Sequence, residues 1–103
     1  MSDPATLLAL ADRCEQAAGP DRELDAEIAR FLVLTGAEDI ARSRYGWSYF
    51  TASLDAAVTL VPEGCGWMVM KNVAKVGRWP KRASTPALAL CAAALRARAA
   101  AYD

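Results

Sequence analysis

Apolar residues near the start of the chain recur every three or four positions: Leu7, Leu10, Ala11, Cys14 and Ala18. That spacing predicts one buried face of a helix, capped by Ser2, with Asp3 and Pro4 in its first turn and Gly19 at its end. Gly19-Pro20-Asp21 breaks it and opens a second helix with the stripe Leu24, Ile28, Phe31 and Leu32, ended by Thr35-Gly36. No period is sustained from there to Tyr49, which predicts an irregular connection with one helical turn over 37–41. A short third helix follows, capped by Thr51 or Ser53, carrying Leu54, Ala57, Val58 and Val61 and closed by Pro62.

After the turn Glu63-Gly64-Cys65-Gly66, residues 67–70 and 73–77 read as two short strands joined near Lys71-Asn72, most simply a hairpin. Trp79-Pro80-Lys81-Arg82 reads as a basic connection. Ser84-Thr85-Pro86 then supplies a cap and an N-terminal proline for a last helix, whose stripe is Leu88, Cys91, Ala92, Leu95, Ala99 and Tyr102. Alanine on both flanks of that stripe permits close approach to a sheet or another helix. The order helix, helix, helix, strand, strand, helix predicts an α/β (α+β) fold, a small sandwich of helices on a two- or three-stranded antiparallel sheet.

The 103 residues form one expected domain, 1–103, with a single core. The 54% hydrophobic content overstates that core, because 23 residues are alanine and bury little area at roughly 25 cal/mol per Å2. The large side chains expected inside are Leu7, Leu10, Leu24, Ile28, Phe31, Leu54, Val58, Trp67, Val69, Leu88, Leu95 and Tyr102. The longest apolar run, 87–95, falls far short of the ~20 residues of a membrane span. With no leader-like opening and three cysteines, an odd number, the chain reads as a soluble, unprocessed protein of a reducing cytoplasm. Cys14 and Cys91 fall on apolar stripes, where a free thiol acts as a small hydrophobe.

The zero net charge conceals a polarity. Residues 1–40 hold nine acids against three arginines, and residues 41–103 hold three acids against nine bases. No acid lies between Glu63 and Asp103. Such halves either attract each other on folding or mark a charged partner. Asp21, Glu23, Asp25 and Glu27 crowd the start of the second helix, where they suit its dipole although pairs four apart repel. As a group they read as a solvated face or as a phosphate-mimicking surface for a partner. Lys71, Lys75, Arg78, Lys81 and Arg82 interleave with Trp79, a combination that fits protection of sheet edges, a protein partner, or single-stranded nucleic acid. Trp47, Tyr45, Tyr49 and Phe50 form an aromatic cluster with Arg42 and Arg44 nearby, residue types that dominate binding hot spots; Phe50 with one tyrosine reads as sealing the core beneath the third helix, and Trp47 fits either role.

Catalytic chemistry is sparse. There is no histidine, so the commonest general base and transition-metal ligand are missing. Cys65 sits in a turn without an obvious activating base. No cysteine pair has zinc-finger spacing and no glycine pattern resembles a phosphate loop, so no cofactor or metal is implied.

Three stretches carry a family resemblance: Leu7 to Glu15 running into Gly19 to Ala29, then Tyr49-Phe50-Thr51-Ala52-Ser53-Leu54-Asp55-Ala56-Ala57, and Thr85-Pro86-Ala87-Leu88 continuing to Leu95. Together they resemble the small phage and prophage proteins grouped as the phage ABA sandwich domain. The resemblance implies an α-β-α sandwich, with helices on either side of a small antiparallel sheet, and phage ancestry. It carries no catalytic residues to transfer. Between Trp67 and Trp79 this chain has a compressed hairpin filled by Met68, Met70, Lys71, Asn72 and Lys75. The resulting expectation is a non-enzymatic phage or prophage protein that binds a host or phage protein in the host cytoplasm, in one version as an anti-CRISPR-like inhibitor of a bacterial defence complex. The alternatives are a nucleic-acid-binding accessory protein using residues 71–82, and a homo-oligomer whose acidic half docks on a neighbour's basic half.

Overall fold

The computed structural model describes residues 4–43 and 46–101, apart from the side chains of Ser43, Trp47 and Trp79. In chain order these form α1 (Pro4–Gln16), α2 (Arg22–Leu34), the single turn α3 (Glu38–Ala41), two-residue strands β1 (Arg42–Ser43) and β2 (Gly46–Trp47), and a short α4 (Leu54–Val58). Strands β3 (Trp67–Met70), β4 (Val73–Val76) and β5 (Trp79–Arg82) follow, and then α5 (Pro86–Ala100). The expected cap at Ser2 and the core position Tyr102 lie outside the described residues.

Local signals account for most boundaries. Asp21 accepts from the backbone N–H groups of Glu23 and Leu24 at 3.0 and 3.1 Å and starts α2. Thr85 accepts from Leu88 N–H at 3.1 Å, with Pro86 in the first turn of α5. Of the two candidates for α4, Ser53 is the cap, accepting from Ala56 N–H at 3.3 Å, whereas Thr51 is buried elsewhere in the fold. Satisfying these otherwise orphaned donors stabilises each helix start by about 1 kcal/mol.

Strands β3, β4 and β5 form an antiparallel meander in the order β3-β4-β5. The segment read as a basic connection is thus a third strand. Its Pro80 is tolerated because β5 is an edge, where a missing donor can face away from the ladder. The irregular connection before Tyr49 also contains the small ladder β1–β2, which pairs too few residues to leave a period-two signal.

Helix α5 is the centre of the molecule. It packs most extensively on α1, then on β4 and β5, and on α4, and residues 87–95 are all buried. A helix enclosed on every side shows no polar face, and its alanines let the neighbouring elements approach closely. The α+β class, with helices packed on a three-stranded antiparallel sheet, is the architecture observed. Its layers run from the sheet to α5 and then α1, so among the described residues helical cover stands on one face of the sheet.

Much of the expected core is in place: Leu7, Leu24, Ile28, Leu88 and Leu95 are wholly buried and Leu10 and Phe31 nearly so. Two expected members are corrected. Leu54, at the start of α4, is 39% exposed, while Leu60 just beyond that helix is fully buried. Trp67 is 47% exposed, because α5 lies chiefly over β4 and β5 and barely reaches β3. Phe50, Leu90 and Val76 are buried completely. Val58 and Val69 are partly buried against the core, and Ala18 is exposed.

Candidate partner-binding site

The two hairpin turns place the cationic residues. Lys71 and Asn72 join β3 to β4, with Lys71 at φ 55°, and Gly77 and Arg78 join β4 to β5, with Gly77 at φ 60°. The register sets Met68 beside Lys75 and Lys75 beside Pro80; the next row is Met70, Val73 and Arg82. Residues directly opposite share a face of an antiparallel sheet, so these six side chains stand on the face away from α5. The intervening row, Val69, Ala74 and Lys81, belongs to the helix side, where Ala74 is 1% exposed.

This outer face is open. Met68 is 55% and Met70 68% exposed; Lys75, Pro80 and Arg82 are exposed and Val73 is half-buried. Its surface is hollowed by 390 Å3, lined by those six residues with Lys71, Asn72 and Ala74. A second hollow of 250 Å3, lined by Gly66, Trp67, Met68, Lys75 and Gly77, adjoins it through Met68 and Lys75. The combination is an apolar floor of flexible methionines with cations around it, in a stretch of sequence that contains no acid.

The cationic residues expected to act together are therefore divided. Lys71, Lys75 and Arg82 meet around the larger hollow. Arg78 lies exposed in the turn at the other end of β4, and Lys81 is half-buried on the helix side. Trp79 pairs with Val76 through its backbone, and its side chain, like that of Trp47, lies outside the described structure, as do Arg44 and Tyr45. Of the other residues around Trp47, Arg42 pairs with Glu38 at 3.0 Å. Phe50 is core, and Tyr49 lies under the Arg22 guanidinium, 3.8 Å from the ring centroid.

The acidic group does not form one surface. Asp25 is fully buried and accepts from Thr51 N–H at 2.8 Å and from Arg22 at 2.9 Å. It fastens α2 to the turn before α4 and is removed from any docking face. Asp21 is occupied as the cap of α2, and Glu27 pairs with Arg13 at 2.5 Å across α1 and α2. Glu23 remains exposed. Among the described residues no three carboxylate or thiol groups converge as a metal site would require.

Of the thiols, Cys14 and Cys91 are buried and Cys65 is partly exposed. The hydrogen bond with Cys14, followed by burial, pushes the Cys91 thiol well above its usual range. It is a packed, protonated group whose S–H donates to Phe50 O at 3.1 Å.

Sequence reading noted Met68 and Met70 as hairpin residues but not as a site. The signal was their two-residue spacing, which the position of the Lys71-Asn72 turn converts into a shared face with Lys75. No protein-family model matches the chain, nor does any curated protein or solved structure.

Proposed function

We propose that the protein is a non-enzymatic binding module that docks an acidic protein surface on the open face of its sheet. The observation that carries this reading is the exposure of Met68 and Met70 beside Lys75 and Arg82, with no acid on strands β3 to β5. Exposed methionines adapt to a partner's contours and contribute apolar burial. The cations supply attraction and orientation. The exposed apolar surface of that face is made chiefly of methionine side chains rather than stacked rings, which favours a protein over single-stranded nucleic acid, whose bases need stacking platforms.

The finer role, a phage or prophage inhibitor of a bacterial defence complex working in the host cytoplasm, draws support from the resemblance to the phage ABA sandwich proteins. Among the described residues, no helix is long and apolar enough to cross a membrane.

The test is capture from bacterial lysate, with and without nuclease treatment, by the wild-type chain and by a Lys75→Glu/Arg82→Glu variant. The expected result is a set of acidic proteins held by the wild type and released by the variant. Capture that survives both charge reversals, or that vanishes when nucleic acid is digested, would overturn the assignment.

A further inference from the structure

The two edges of the sheet are built differently. Ala83 N–H donates to Asn72 O at 3.0 Å. Counting by twos along β5 turns Lys81 and Trp79 toward β4 and leaves Pro80 and Arg82 facing outward. The outward edge of β5 is thus interrupted by a residue with no N–H, and Arg78, Lys81 and Arg82 surround it. Proline and like charge are the usual means of preventing strand addition.

Edge strand β3 has neither. Gly77 N–H donates to Gly66 O at 2.8 Å, so Gly66, Met68 and Met70 face β4, and Trp67 and Val69 turn their N–H and C=O groups outward. Trp67-Met68-Val69-Met70 contains no charge and no proline, and three of its four side chains are exposed apolar groups. Among the described residues, no element pairs with this edge.

We infer that β3 pairs antiparallel with β3 of a second copy, joining two three-stranded sheets into one of six strands. The strand is complementary to its own reverse. A two-fold axis through Val69 sets it opposite the partner's Val69, where the outward backbone groups of each can bond the other. The same register sets Met68 beside the partner's Met70, so the most exposed apolar side chains cover one another. Every other register loses both of these pairings, and one-residue shifts place the outer face of one copy against the inner face of the other. The pairing is independent of any acidic partner, and it would join the two open faces into one platform.

Sedimentation velocity of the full chain, from micromolar to millimolar concentration, tests this. A reversible monomer–dimer equilibrium is expected. Val69→Pro removes the N–H at the two-fold axis and none directed at β4, and Met70→Lys places a charge in the methionine contact. Each should raise the dissociation constant about 10-fold or more, with unchanged far-UV circular dichroism. If Val69→Pro unfolds, Met70→Lys decides the matter alone. A wild type that remains monomeric throughout would overturn the inference and leave the edge to an extended segment of a different protein. A dimer that Met70→Lys does not weaken would overturn it as well.

Discussion

Asp25 illustrates how far a single residue can be read. Its place in the first turn of α2 was legible, and so was its suitability for the helix dipole. Its burial was not, because the group it serves, Thr51 N–H, lies twenty-six residues away. Arg22 reaches Asp25 while also bonding Ser48 O at 3.3 Å and covering Tyr49. Thr51 returns the connection, accepting from Asp21 N–H at 2.8 Å. Asp25→Ala should therefore cost about 2–4 kcal/mol in urea unfolding, since it removes charged hydrogen bonds and orphans a buried N–H. Asp25→Asn keeps an acceptor for Thr51 and should lose clearly less. Equal losses in the two variants would show that the carboxylate charge, rather than the tie to Thr51, is what matters.

At the scale of elements, the five-residue helix α4, the hairpin over 67–76 and the three longer helices follow from spacing, caps and turns. Strand β5 does not, since proline and three charged or bulky neighbours disguise four residues that pair only on one side. Helix α5 was legible as a helix but only half legible as a centre. Its alanines announce close packing without saying that packing occurs all round. Ala92 is wholly buried there, and Ala92→Leu adds volume with no void to accept it. The expected loss is about 1–3 kcal/mol in thermal or urea unfolding, against a near-neutral change for the same substitution at exposed Ala100.

Across the whole molecule, the opposed charges of the two halves meet chiefly through Arg96. It reaches from α5 to Glu15 at 2.7 Å and Asp12 at 2.5 Å on α1, and those acids hold its guanidinium pKa above the ordinary value. Arg98 instead donates to Leu60 O at 2.6 Å, tying α5 to the end of α4. With its side chain only 18% exposed, Arg96→Ala should lose about 2 kcal/mol of stability in urea unfolding. Arg82→Ala on the open face should change stability by less than about 0.5 kcal/mol, which separates the structural cation from those available to a partner. Among the described residues, the cations on Lys71, Lys75, Arg78, Lys81 and Arg82 enter no ion pair, and Lys71, Lys75 and Arg82 are those that meet on the open face. By itself the sequence determined the helices, the hairpin and its turn, and the excess of positive charge after Glu63, because periodicity, capping and composition are local properties. Only the tertiary structure decided that α5 lies beneath one face of the sheet and that Trp67 stays outside the core. It also decided that Met68 and Met70 share an open surface with Lys75 and Arg82. Each of these depends on which faces meet across long separations, and covering one side of a small sheet leaves its alternate residues exposed.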